Sequence, residues 1–136
     1  MLTEARVILP GVQSLLGFQL IACFTEAYDR LPQTTQIAHL AALAANALSM
    51  ALLMTPAALH RIAFEGADDR RFLQIGSFLV AAAPLWLALG LSADIYVALQ
   101  LVPATRGEPA LIPSSAMLIV TCFFWYAWPA TLRRRR

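Results

Sequence analysis

Residues 37–59 read IAHLAALAANALSMALLMTPAAL, a run without a single charged side chain. At 1.5 Å per residue it extends about 34 Å as a helix, enough to cross ~30 Å of hydrocarbon. Three further apolar runs flank it, at approximately Val7–Thr25, Phe72–Leu101 and Ala110–Leu132. Each reaches the roughly 17–25 residues that a crossing requires. The first is the most interrupted, by Pro10, Gly11, Gln13, Gly17 and Gln19. Breaks between the runs carry turn-forming residues: Leu31-Pro32-Gln33, Glu65-Gly66-Ala67-Asp68 and Arg106-Gly107-Glu108-Pro109. The pattern predicts an all-α integral membrane bundle of four transmembrane helices, forming a single domain over residues 1–136.

Composition excludes an ordinary soluble domain. Hydrophobic residues make up 60% of the chain and charged residues 13%, against about 45–50% and about 25% in soluble domains. A chain of this size in water could not cover so much apolar surface, whereas lipid removes the need to. All 10 basic residues are arginines. Arg6, Arg61, Arg70, Arg71 and Arg133–Arg136 fall on one side of the expected bundle, and only Arg30 and Arg106 on the other. Short arginine-rich segments stay in the cytoplasm, so both termini are expected there. The net charge of +2 follows from that clustering, and nucleic acid is not an expected partner.

Leu20-Ile21-Ala22-Cys23 resembles a lipoprotein cleavage box, but Arg6 is offset by Glu4 and polar residues break the apolar run before it. The expectation is therefore that the first segment stays as a helix. Cys23 and Cys122 fall at different depths and neither has an activating base nearby in sequence, so both read as packing residues. His39 opens the second helix and His60 closes it, about 30 Å apart, too far to share an ion. His60 and Arg61 instead suit the negative end of that helix. No metal-binding, dinucleotide or phosphate-loop signature is present. An enzyme is the least favoured class, and no cofactor is expected.

Polar groups inside the apolar runs carry more information. Counted from the outer helix ends, Gln19 lies ~9 Å deep, Asn46 ~13 Å and Gln13 ~18 Å. Helices one and two are antiparallel neighbours, so these depths interleave into an intramembrane network, with Gln19 the expected partner of Asn46 and Gln13 the next. His39 and Asn46, seven apart, share a face. Such contacts contribute roughly 0.6–2 kcal/mol each as packing glue; the sharper reading is a polar path for an ion. Ala38/Ala42 and Ala41/Ala45 allow close helix approach, within the chain or with another copy.

Asp94 is the one carboxylate embedded in an apolar run, which makes it a candidate ion-handling residue, with Glu26 the second. About 33 Å along its helix, it is expected near the outer interface, in an acidic rim with Glu26, Asp29 and Glu108. At the other end Trp125, Tyr126 and Trp128 form an expected aromatic belt, with Arg133, Arg134, Arg135 and Arg136 against anionic headgroups. The bilayer and its anionic lipids are thus the expected partners, together with a homo-oligomer or a larger membrane complex.

Two stretches carry a family resemblance. One runs from Glu4-Ala5-Arg6-Val7 through Pro10-Gly11-Val12-Gln13 to Gly17-Phe18-Gln19-Leu20, then Phe24 and Leu31. The other is Leu53-Met54-Thr55-Pro56-Ala57-Ala58-Leu59-His60-Arg61, followed by Phe64. Together, over roughly Thr3–Leu101, they resemble a family of small bacterial four-helix membrane proteins classed as a domain of unknown function. Gly11, Gln13, Pro56, His60 and Arg61 are its motif positions. The resemblance implies a bacterial inner-membrane location and the fold, and it transfers no mechanism; some members carry an automatic sodium:proton antiporter label. Small multidrug-resistance transporters are similar in having four helices, but they place a carboxylate mid-way along helix one, where this chain has Gln13. Two functional classes follow: a non-catalytic oligomeric or accessory membrane protein, favoured by the glue-like groups, and a small cation or proton transporter using Asp94 and Glu26.

Overall fold

The computed structural model describes residues 2–63 and 70–133, with side chains from residue 6 onward. The turn expected at Glu65–Asp68, Phe64 of the family stretch, the side chains of Glu4 and Ala5, and Arg134, Arg135 and Arg136 lie outside the described residues. The elements are α1 (Leu2–Ala22), a single turn α2 (Glu26–Asp29), α3 (Gln33–Ile62), α4 (Arg70–Gln100), 3-10 turns at Pro103–Thr105 and Glu108–Ala110, α5 (Leu111–Cys122), a π turn (Phe123–Ala127) and α6 (Trp128–Arg133). Three of the stretches are long and apolar enough to cross a bilayer: Gln33–Ile62, Arg70–Gln100 and Glu108–Arg133. In α1 the apolar portion is the shorter Arg6–Ala22, about 25 Å at helical rise.

One seam organises the packing. The buried residues of α3 are Thr35, His39, Ala42, Asn46, Ser49, Leu53 and Pro56, alternating steps of four and three. That spacing keeps one stripe of a helix against a neighbour along its whole length. Helix α4 answers with Gly76, Ala83, Gly90 and Val97, all buried and seven apart. Small residues on both sides let the backbones approach, and Ser49 Oγ donates to the Ala83 carbonyl at 2.9 Å. Of the alanine pairs read from the sequence, Ala42 sits on this seam, whereas Ala41 is exposed along with Ala44 and Ala47.

Helix α1 runs antiparallel to α3 and closes the centre. Val12, Leu53 and Ala83 are buried together, with Ile8, Leu16, Met50 and Leu87 packed around them. The opposite faces are apolar as well: Val7 is 76% exposed, Ile112 75% and Phe78 72%. In water this surface would drive aggregation; hydrocarbon accommodates it without cost.

The connection from α4 to α5 is built around Gln100. Its side chain accepts from the Gly107 amide at 3.0 Å and donates to the Gly107 carbonyl at 3.4 Å. Arg106 Nε donates to the Gln100 carbonyl at 3.0 Å, placing a cation at the negative end of α4. Gly107 has φ of 82°, a backbone conformation that a Cβ would strain. Farther on, Pro129 offers no N–H to the turn before it, and the bonding there lengthens, the Trp128 N–H reaching the Phe123 carbonyl. Tyr126 consequently turns inward and its hydroxyl donates to the Ala81 carbonyl of α4 at 2.7 Å. Its hydroxyl is thereby engaged by a neighbouring helix. Trp125 and Trp128 remain exposed, and so does Arg133.

Candidate functional site: a carboxylate held across three helices

The α1, α3 and α4 helices meet in a polar cluster near the end of the molecule that carries α2. Gln19, His39 and Asn46 are buried there, at 4%, 4% and 0% exposure. Asp94 is half-buried beside them. Its Oδ1 accepts from Gln19 Nε2 at 2.7 Å and its Oδ2 from Asn46 Nδ2 at 3.2 Å. One carboxylate therefore ties α1 and α3 to α4. Hydrogen bonds to a charged acceptor are about twice as strong as neutral ones, and more so away from water.

This geometry revises two expectations. Asn46 does not bond directly to a helix-one amide; both amides donate to Asp94, each to its own oxygen. Asp94 lies six residues before the end of α4 and faces inward, toward buried Gln19 and Asn46. It lies four residues after Gly90 and three before Val97, both buried, and that spacing puts it on the α4 seam. Gln13, the third expected member of the network, is exposed. Gln19 shares a face with buried Val12, seven residues earlier, and Gln13 is turned about 100° away from it.

Gly90 is what lets Asn46 in. A Cβ built on Gly90 would stand 2.0 Å from Asn46 Oδ1, 2.5 Å from Cγ and 2.8 Å from Nδ2. No rearrangement short of moving the asparagine relieves that overlap. The amide carbonyl packs on the glycine backbone while the amide nitrogen reaches Asp94.

His39 secures the end of α1. The Gln19 carbonyl is one of the last four of that helix and has no continuing turn to bond with. His39 Nε2 approaches it at 3.0 Å; a carbonyl only accepts, so Nε2 carries the proton. Cys23 Sγ donates to the same oxygen at 3.4 Å. Above the cluster the Tyr28 ring meets His39 edge-on, centroids 5.4 Å apart, and Gln36 Nε2 donates to the carbonyls of Tyr28 and Leu31 at 3.1 and 3.3 Å. Burial, with Cys23 and Asp29 adding to it, raises the Tyr28 phenol above its ordinary value of 10.0, so it stays protonated and its hydroxyl donates to the Gln36 carbonyl at 3.4 Å.

The remaining candidates sit elsewhere. Glu26 is exposed and pairs with Arg30 at 3.2 Å, a contact worth little in water. Among the family-motif positions Pro56 is buried on the α3 seam, Gly11 and Arg61 are exposed, and His60 tilts against Phe72 with centroids 5.0 Å apart. Among the described residues no three His, Cys, Asp or Glu side chains converge as metal ligands. Gln19 Oε1 and Asn46 Oδ1 are buried without a hydrogen-bond donor among the described residues.

No curated protein and no solved structure matches the chain. Residues 1–129 match a family described as being of unknown function, DUF6328. With the match covering nearly the whole sequence, the chain belongs to that family.

Proposed function

We propose that this is a multi-pass protein of the bacterial inner membrane with four crossings and both termini in the cytoplasm, a non-catalytic subunit that acts by assembling with itself or within a larger membrane complex. The observation that carries the reading is the Asp94 cluster. Both carboxylate oxygens are taken by buried amides from two other helices, which is the arrangement of a structural fastening. The middle of the bundle is filled by Val12, Leu53 and Ala83, and the exposed alanines of α3, Ala41, Ala44 and Ala47, offer a flat face for a second helix. A second reading, a small cation or proton exchanger centred on Asp94, draws on the unsatisfied oxygens Gln19 Oε1 and Asn46 Oδ1.

Sodium- or proton-driven flux in proteoliposomes separates the two. The assembly reading expects no flux above protein-free vesicles, in wild type and in Asp94→Asn alike. Robust wild-type flux that disappears in Asp94→Asn would establish exchange and end the assembly reading. Topology has its own test: a C-terminal reporter active only in the periplasm should stay silent, given the arginine asymmetry, and a strong periplasmic signal would rule out four crossings.

A further inference from the structure

Between α1 and the π turn, over the middle of α4, lies a cavity of about 450 Å³, within the roughly 300–1,000 Å³ of small-molecule sites. Ile8, Leu53, Pro84, Leu87, Phe124 and Trp125 line it, with Ser49 at its floor. Two helix irregularities border it, Pro84 inside α4 and the π turn, and such irregularities open space in a bundle. The one hydroxyl in its lining is already committed, Ser49 Oγ to the Ala83 carbonyl. What remains for an occupant is an apolar wall. Two of its lining residues, Phe124 at 53% and Trp125 at 39% exposure, also reach the outer surface of the bundle, so the cavity lies next to the bundle's surroundings.

We infer that this cavity seats one acyl chain of an anionic phospholipid; the inference rests on the membrane reading above. Depth selects the chain over the headgroup. Pro84 is about 21 Å along α4 from Arg70, and Trp125 about 12 Å from Arg133, distances that an acyl chain covers from a phosphate held at arginine level. Charge selects the anionic lipid. Arg133 is exposed eight residues after Trp125 and Arg6 is exposed two residues before Ile8, so a cation stands along the chain from each of two cavity walls, where an anionic headgroup would meet it.

The test uses the full chain in phosphatidylcholine vesicles, with Trp125 left as the only tryptophan by Trp86→Phe and Trp128→Phe. Quenching of Trp125 is titrated with phosphatidylglycerol brominated in its acyl chains and, separately, with equally brominated phosphatidylcholine. Half-maximal quenching should come at about thirtyfold less phosphatidylglycerol, two arginines contributing about 1 kcal/mol each. Arg6→Gln with Arg133→Gln should abolish that preference. Leu87→Phe and Ile8→Phe, which fill the cavity from opposite walls, should each reduce quenching by phosphatidylglycerol to the phosphatidylcholine level. Equal quenching by the two lipids overturns the inference, as does quenching that weakens when protein density rises, because a second copy then covers the cavity. Absence of quenching by either lipid overturns it together with the membrane reading, which separates the two failures.

Discussion

Gly90→Ala is expected to be the most damaging single-methyl change in this protein, costing about 3 kcal/mol or more. The added carbon would stand 2.0 Å from Asn46 Oδ1, so the asparagine has to leave its place. Overpacking of this kind costs about 1–3 kcal/mol by itself, and the bond to the Asp94 carboxylate, worth about 1.5–3 kcal/mol, goes with it. Helix propensity opposes this by only about 1 kcal/mol in favour of alanine, so the clash wins. Gly11→Ala and Gly17→Ala make the controls, since a Cβ at either position meets nothing within 4 Å; both should be neutral or slightly stabilising. Thermal unfolding in detergent measures all three. A double variant with Asn46→Ala removes the obstruction, so its loss should fall clearly short of the sum of the two single losses.

Asp94→Leu is expected to follow in magnitude, at about 2–4 kcal/mol. Leucine keeps the branched shape, though with bulkier methyl groups, but leaves the buried amides of Gln19 and Asn46 without their acceptor. Each unmet donor costs about 1–3 kcal/mol, tempered by the smaller values, near 0.6 kcal/mol on average, measured for polar contacts between membrane helices. Asp94→Asn retains one carbonyl acceptor and should lose about half as much. A solvated rim carboxylate would instead be silent to both changes, so unfolding of the two variants beside wild type separates the placements. The loss should also be visible as weakened attachment of α1, whose far end is held by Asp94 and His39.

Much of this architecture was legible because hydropathy and helical rise act along the chain, one dimension at a time. The run at 37–59 appears as α3 with a few residues added at each end, and the run at 72–101 as α4, which starts two residues earlier and ends one residue sooner. Short connectors make neighbours antiparallel, and the axial depths of Gln19, Asn46 and Asp94 come out close together. What counting along the axis omits is the direction around it. Gln13 and Gln19 lie in the same apolar run, but only Gln19 continues the face of Val12. Asp94 falls between Gly90 and Val97, four and three residues away, on the stripe that Gly76, Ala83, Gly90 and Val97 mark, and that spacing was the available signal for its inward orientation. Three features had no such signal. The steric need for a glycine opposite Asn46 depends on two helices at once. The capping of α1 by His39 depends on where a carbonyl three residues from a helix end happens to meet another helix. The bond from Tyr126 to α4 depends on hydrogen bonding that Pro129 rearranges.

One carboxylate joins three helices, and the chain's composition makes that junction directly measurable. Asn46 is the only asparagine among four aspartates, so ¹⁵N in the asparagine side-chain amide marks a single site. Solid-state NMR of membrane-reconstituted protein, carrying that label and ¹³C in the aspartate carboxyls, reports whether any carboxyl carbon lies within hydrogen-bonding range of the amide nitrogen. Dipolar dephasing of one aspartate signal out of four is expected, lost in Asp94→Leu. If no aspartate carboxyl is dephased by Asn46, the cluster does not exist as described and the reading of this site falls with it.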